Sequence, residues 1–185
     1  MKATGIVRRI DDLGRVVIPK EIRRTMRIRE GDPLEIYTDR EGEVIFKKYS
    51  PIGELAGFAA QYADTLHKTC SLSIVICDRD TVIACSGVSR KDYADKTLSE
   101  GLEQIIESRS LYVHRDGNTP IPVLADGSAH YVNCAMPIIS EGDIAGCVAS
   151  VTDRPMESRH ELPVGEVETK LILTAAGFLG RQLEG

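Results

Sequence analysis

The first fifty residues alternate short apolar runs with turn residues, a pattern typical of small strands around a brief helix. The run Val16-Val17-Ile18 is β-branched and therefore favours a strand. Pro19 ends that strand because proline has no backbone N–H to donate, but it fits the first position of a helix. The pattern predicts a helix over residues 19–26 and strands over residues 4–10, 16–19, 34–38 and 43–48.

Two Asp-x-x-Gly turns divide this region into two similar hairpins. Residues 11–14 and 39–42 each have an aspartate first and a glycine fourth, as in a type I turn. The residues that follow the two turns align, but Arg15 stands where the second copy has Glu43. Only the first hairpin is therefore predicted to bind an anion.

After Ser50-Pro51 the pattern changes to longer helices and longer strands. It predicts helices over residues 52–69, 98–108 and 164–183, a helical turn over 92–95, and strands over 72–77, 81–86, 110–114, 131–139 and 144–151. This order indicates an α+β domain with one antiparallel sheet flanked by helices. We therefore expect a small domain over residues 1–50 and a larger one over residues 51–185.

The first helix of the larger domain has a heptad pattern that the sequence leaves open to two interpretations. Apolar residues follow 3-4-3-4 spacing at Ile52, Leu55, Ala59, Tyr62 and Leu66. The pattern suits a helix packed on its own core, and it equally suits an intersubunit coiled coil. The last helix is apolar almost all round between residues 171 and 179, which indicates cover by the sheet and by a partner helix.

Charge is distributed unevenly along the chain. The net charge is -5, but residues 1–50 carry 12 basic and 9 acidic side chains, and residues 51–185 carry 11 and 19. Within residues 1–29 the counts are 9 basic and 3 acidic. A basic end on an acidic body is expected where one part of a protein meets a polyanion and the rest does not.

The small size of the first domain predicts association between chains. Fifty residues bury too little surface to be stable alone, and the sequence offers no disulfide framework or metal site to compensate. We expect an obligate dimer with interleaved strands.

The pattern of cysteines and histidines indicates no catalytic residue, metal site or cofactor. The five cysteines form no CxxC pair and none stands beside a histidine at zinc spacing, so we expect buried reduced thiols in a cytosolic protein. The four histidines are scattered. No apolar run approaches the roughly 18 residues of a membrane span, and the start has no apolar signal region, so we expect a cytoplasmic protein.

Residues 5–8, 13–19 and 22–24 resemble the AbrB-type swapped-hairpin DNA-binding domain of bacterial transition-state regulators. The order of elements in residues 51–185 resembles a GAF domain. Together, and over much of residues 1–110, the chain resembles the SpoVT family of sporulation regulators from endospore-forming bacteria. The resemblance implies a β-barrel-like dimer in which two chains exchange hairpins, and a homotetramer that pairs through helices of the GAF-like domains.

The resemblance also implies which residues contact double-stranded DNA at promoter or operator regions. The family's DNA-contacting arginines correspond to Arg8, Arg15, Arg23 and Arg24, and Lys2 and Lys20 are secondary candidates. Arginine suits this role because its planar fork binds phosphate or the guanine edge through two hydrogen bonds. We expect a nucleoid-associated protein with a modest consensus sequence.

The GAF-like domain is a candidate sensor of a small ligand. The candidate residues are Cys85, Ser86, Tyr93, Tyr131, Asn133 and Met136, with Ser89 and Cys134 beside them. Their mixture of small and polar side chains is compatible with a ligand but identifies none. The alternative is a domain that serves assembly alone.

We expect a homo-oligomeric transcription factor that activates some forespore genes of sporulation and represses others. One alternative is an antitoxin, because toxin-neutralising proteins use the same small hairpin fold. A second is a GAF-type thiol reductase acting on methionine sulfoxide.

Overall fold

The computed structural model describes residues 4–115, 117–127, 129–153 and 165–184. The chain divides into two compact units, Met1–Tyr49 and Ser50–Gly185. In the first unit, helix α1 spans Lys20–Thr25, and strands β1 (Leu34–Thr38) and β2 (Val44–Lys48) pair antiparallel. These three elements lie within a residue of their predicted bounds.

Residues 4–10 and 16–18, which were predicted as strands, form no strand in the single chain. The Asp11 N–H donates to the Arg15 carbonyl over 3.0 Å and joins the two segments at their turn. Apolar side chains on both segments are exposed, Val7 by 88% and Val17 by 70%. A lone two-stranded hairpin is marginally stable in water, so a strand in either segment would need further strands beside it.

A buried carboxylate closes the loop between α1 and β1. The Asp32 side chain is 2% exposed, and its Oδ2 lies 3.2 Å from the Lys48 ammonium. The same oxygen accepts a hydrogen bond of 2.7 Å from the Arg29 N–H. Lys48 also donates to the Arg27 carbonyl over 2.8 Å. This ion pair therefore fixes the end of α1 against β2, since a carboxylate out of water needs both a countercharge and hydrogen-bond donors.

The second unit is an antiparallel five-stranded sheet with helices on its faces, which confirms the predicted α+β fold. Its helices are α2 (Pro51–Glu54), α3 (Ala56–Cys70), α4 (Arg90–Tyr93), α5 (Glu100–Glu107) and α6 (Glu166–Leu183). Its strands are β3 (Ser73–Cys77), β4 (Val82–Ser86), β5 (Tyr112–Val113), β6 (Tyr131–Ser140) and β7 (Asp143–Thr152). The sheet order is β4-β3-β7-β6-β5.

Each face of the sheet has its own hydrophobic core. Helices α2, α3 and α6 cover one face, where Ile52, Ile74 and Leu179 are fully buried. Helix α5 and the loop before β6 cover the other face, where Val75 and Leu102 are fully buried. The alternation of Ile74, Val75 and Ile76 between the two cores is the period of two that a strand imposes.

Two glycines allow close backbone packing in the second unit. A Cβ at Gly180 of α6 would overlap the Ile139 carbonyl oxygen of β6, and a Cβ at Gly146 of β7 would overlap the Cys77 carbonyl oxygen of β3. Helix α6 therefore lies against β6 at a distance that only glycine permits.

The helix predicted over residues 52–69 is interrupted at Leu55, which separates α2 from α3. Helix α3 buries Ala59, Ala63 and Leu66 in the core of its own unit. Ala63 lies outside the heptad pattern, so the buried face is that of a core-packed helix.

An aromatic cluster lies where α3 meets α6. The rings of Phe58 and Tyr62 lie 5.8 and 5.6 Å from the ring of Phe178, measured between centroids. Phe58 remains 36% exposed and Phe178 40% exposed, and Leu173 on the same helix is 39% exposed. The cluster therefore leaves an apolar surface on the outer side of the two helices. None of the helices in the described residues is long and apolar enough to cross a membrane.

Candidate nucleic-acid interface

The first turn of the chain is organised by the carboxylate of Asp11. Its Oδ1 accepts hydrogen bonds from the backbone N–H groups of Leu13 (3.0 Å) and Arg15 (2.7 Å). Gly14 has a φ of +76° and donates its N–H to the Asp11 carbonyl over 3.0 Å. This is a type I turn followed by a left-handed residue, a standard three-residue hairpin connection.

Asp11 also orients the guanidinium of Arg15. The Nε of Arg15 donates to Oδ2 of Asp11 over 2.8 Å, and the Arg15 side chain stays 69% exposed. The Arg15 backbone N–H and then its guanidinium lower the pKa of the Asp11 carboxyl below its ordinary value. With Nε engaged, the two terminal amino groups of Arg15 are the donors that remain for an external anion.

The second turn repeats the first without its arginine. Asp39 Oδ1 accepts hydrogen bonds from the N–H groups of Glu41 (3.0 Å) and Glu43 (2.9 Å), and Gly42 has a φ of +84°. The two turns therefore share one backbone geometry. They differ in the side chain after the glycine, because a glutamate cannot pair with the aspartate as Arg15 does.

Helix α1 presents the other predicted arginines. Pro19 is its N-cap and is buried, and Ile22 is half-buried. Arg23 and Arg24 form the exposed last turn, and the Arg23 carbonyl accepts the Ile28 N–H over 2.8 Å beyond the helix end. Pro19 and Ile22 are therefore the less exposed positions of this segment, while Arg23 and Arg24 stay in solvent.

The remaining predicted contacts are also on the surface. Arg8 lies in the extended segment before the first turn, and Lys20 begins α1; both are exposed. Lys2 lies outside the described residues. Among the described residues of the first unit, Arg15 forms an ion pair with Asp11, and Lys48 forms one with Asp32 inside the unit.

In the second unit, the six candidate ligand residues are divided between the faces of the sheet. Cys85 and Tyr93 belong to the core beneath α5, and Met136 belongs to the core beneath α6. Tyr93 donates to or accepts from His130 Nδ1 over 2.8 Å. The structure therefore does not gather the six residues around one point. Ser86 and Tyr131 also lie apart, on β4 and at the start of β6.

A cavity of about 320 Å³ opens in the second unit near the first turn of α6. Of the six candidates, Asn133 is the one among its described lining residues. Ser150 of β7 and Glu168 of α6 line it as well. No sequence pattern connects these three residues, because they come from three separate elements, β6, β7 and α6.

Three thiols of the second unit have a raised pKa. Cys77 and Cys147 are fully buried, and their mutual interaction and burial raise the pKa of Cys77 well above its ordinary value. Burial and then the Glu168 carboxylate raise the pKa of Cys134 to about 12. Burial also raises the pKa of Cys85. A nucleophilic cysteine needs the opposite shift, so these environments disfavour thiolate chemistry.

The family model described as "Stage V sporulation protein T C-terminal, transcription factor" matches residues 54–184. The chain belongs to this family. Stage V sporulation protein T of Bacillus subtilis (strain 168) is 54% identical over 186 residues, which cover 100% of this chain and 99% of that protein. The predicted family is confirmed, and this member of the stage V sporulation protein T family is a transcription factor.

The other similarities concern either the first unit or a GAF domain. A family model described as "Antidote-toxin recognition MazE, bacterial antitoxin" matches residues 7–53. The solved N-terminal DNA recognition domain of the B. subtilis regulator AbrB is 63% identical, with 28% of this chain and 94% of that chain covered and a TM-score of 0.25. A GAF domain from a Coxiella burnetii phosphoenolpyruvate-protein phosphotransferase is 17% identical, with 70% and 82% covered and a TM-score of 0.48.

Two residues of this family member acquire roles that sequence reasoning missed. Asp11 was interpreted as a turn residue alone, although its spacing of four from Arg15 was a sign of the ion pair. No sequence pattern indicated the role of Glu168, because its hydrogen-bond partners Asn133 and Ser150 are 35 and 18 positions away along the chain.

Proposed function

We propose that the chain is a sequence-preferring, DNA-binding regulator of sporulation genes that acts through the arginines of its first unit. The observation that carries this proposal is the exposure of all four predicted arginines, Arg8, Arg15, Arg23 and Arg24, together with the orientation of Arg15 by Asp11. The 63% identity to the DNA recognition domain of AbrB supports it. Lys2 and Lys20 extend the same basic surface in this proposal.

The first unit acts as a homodimer in this proposal. The exposed apolar side chains of residues 4–18 support this, because exchange of hairpins between two chains would cover them. Symmetric pairing places two copies of each arginine on one DNA-binding head. Two copies of each phosphate contact also double the dependence of affinity on salt.

The second unit joins two dimers into a tetramer. The aromatic cluster of Phe58, Tyr62 and Phe178 supports this, since a second copy of α3 and α6 would cover its exposed surface. Two heads held in one particle bind a long operator at high effective concentration.

In the family context, such a tetramer activates some forespore genes and represses others. It works in the cytoplasm, in association with the nucleoid. Its chemistry is binding and not turnover, as the protonated thiols of Cys77 and Cys134 support.

A salt titration of DNA binding tests the arginine surface. The double variant Arg15→Ala, Arg24→Ala removes four charges from a dimer. If each contacts one phosphate, the log–log slope of affinity against salt becomes shallower by roughly 3.6, at about 0.9 for each contact. The control Arg40→Ala, Lys47→Ala removes the same charge from the second hairpin, whose turn lacks an oriented arginine.

We expect both double variants to remain folded and oligomeric, and only the first to lose promoter binding at moderate salt. Equal slopes for the two variants would overturn the assignment of the surface.

The match to the MazE antitoxin model over residues 7–53 favours a second candidate function. An antitoxin would bind a toxin protein and would be encoded beside its gene. Recovery of a stable toxin complex from the native operon would support this function over gene regulation at distant promoters.

A further inference from the structure

The cavity in the second unit is built from polar groups of the sheet and of α6. Asn133 of β6 and Ser150 of β7 contribute from the sheet, and Glu168 contributes from the first turn of α6. The rest of the described lining comes from residues 71–73 after α3, Gly87 after β4, His130 before β6 and residues 151–153 at the end of β7. Cys85 and Tyr93 are not among its described lining residues, although His130, which hydrogen-bonds Tyr93, is.

Hydrogen bonds fix the Glu168 carboxylate inside this cavity. Its Oε1 accepts from Asn133 Nδ2 over 2.8 Å and from the Ser150 hydroxyl over 2.5 Å. Ser150 in turn accepts the Cys134 N–H over 3.2 Å. Both Asn133 and Ser150 are buried, at 6% and 1% exposure. Asn133 and Ser150 are each on a strand of the sheet, so their hydrogen bonds fix the Glu168 carboxylate of α6 against the sheet.

Within the described part of the chain, one acceptor in this arrangement has no donor. The Oδ1 of Asn133 is buried and none of the described residues donates to it, while the Nδ2 of the same amide donates to Glu168. A buried amide oxygen without a donor is uncommon, because its desolvation is not compensated. Asn133 is one of the residues that line the cavity, so a molecule in the cavity is positioned to supply the donor.

The charge of the cavity indicates which donor it would accept. Two carboxylates line it, from Asp153 and Glu168, and none of its described lining residues is a lysine or an arginine. In the described part of the chain, no group of three or more His, Cys, Asp and Glu side chains could hold a metal ion. A positively charged organic donor therefore fits the site better than an anion or a metal ion.

We propose that this cavity binds a small organic cation through an ammonium or guanidinium group. An N–H of that group donates to Asn133 Oδ1, and its positive charge faces the carboxylate of Glu168. A cavity of about 320 Å³ is at the lower end of the range for small-molecule sites, so the ligand is a compact molecule. The site goes beyond the proposed DNA-binding function and does not depend on it.

The test measures binding of putrescine and agmatine to the full-length protein by isothermal titration calorimetry. The neutral analogue 1,4-butanediol has the carbon chain of putrescine but no charge. We expect one cation per chain, and no binding of the diol at ten times the concentration. The proposal would be overturned if neither cation bound detectably, or if putrescine and the diol bound equally well.

A matched pair of variants then locates the site. Glu168→Gln keeps an oxygen that can accept from Asn133 and Ser150 but removes the charge, so affinity should fall at least tenfold. Glu166→Gln removes the same charge two residues earlier in the same helix turn, where Glu166 pairs with Lys170 at the surface over 2.6 Å. That control should bind within twofold of the parent chain. An equal loss in both variants would mean that binding reflects surface charge and would refute the assignment.

Discussion

Replacing Phe178 with alanine should weaken the proposed tetramer without unfolding the chain. In the single chain 40% of this side chain is still exposed, so only that fraction is left to be buried by a partner. Complete burial of a phenylalanine contributes about 1.5–3 kcal/mol, so the remaining fraction is worth about 0.6–1.2 kcal/mol in each chain. In a twofold interface the same contact occurs twice.

The two copies together contribute about 1.2–2.4 kcal/mol to association of two dimers. Because 1.4 kcal/mol corresponds to a factor of ten, the dissociation constant of the tetramer should rise roughly 7- to 50-fold. Sedimentation velocity over a concentration series measures this directly. Within that concentration series the Phe178→Ala protein should dissociate from tetramer to dimer at higher concentrations than the parent protein does.

Leu111→Ala provides the control, because Leu111 is 37% exposed in the same unit but is not part of the aromatic cluster. If Leu111→Ala dissociates the particle as much as Phe178→Ala does, the aromatic cluster is not the interface. If Phe178→Ala leaves the distribution of mass unchanged at every concentration, the inference from exposed area is refuted.

Two further predictions concern stability and titration. Gly180→Ala should lower the free energy of unfolding by about 1–3 kcal/mol, because its Cβ would overlap the Ile139 carbonyl. Gly177→Ala is the control: a Cβ at this position of the same helix meets nothing within 4 Å, so the free energy of unfolding should rise by up to about 1 kcal/mol. Urea denaturation at fixed protein concentration compares the two variants, and equal effects would contradict the packing. Arg15 lowers the pKa of Asp11, so the stability from this contact is present above the ordinary carboxyl pKa and is lost as pH falls through the pKa of the folded state. NMR titration of the Asp11 carboxyl should show a midpoint below 3.8, and Arg15→Ala should move that midpoint upward.

The local structure of the first unit could be largely predicted from sequence. The two aspartate turns, helix α1 and strands β1 and β2 depend on residues close together in the chain, and their signals were clear. The segments around Val7 and Val17 carry equally clear strand signals, yet no strand forms there in one chain. A strand needs a partner for its backbone groups, and a propensity cannot say whether the same chain supplies one.

The order of elements in the second unit was also predictable, but the arrangement of its polar groups was not. Hydrophobic periodicity located α5, α6, β6 and β7. The contact between Asn133 and Glu168 depends on how α6 crosses the sheet, and that crossing depends on the missing Cβ of Gly180. The break at Leu55 was likewise invisible to a pattern that continues smoothly through it.

Helix α6 has a consequence for how two binding events would influence each other. It carries Glu168 in its first turn and Phe178 about 15 Å further along the same continuous rod, at 1.5 Å per residue. Any displacement of α6 by a cation at the cavity would therefore also be a displacement at the aromatic cluster. Thermodynamic linkage makes that influence mutual, so the affinity for the cation would itself depend on the protein concentration, and dilution alone would change the apparent dissociation constant of the cation.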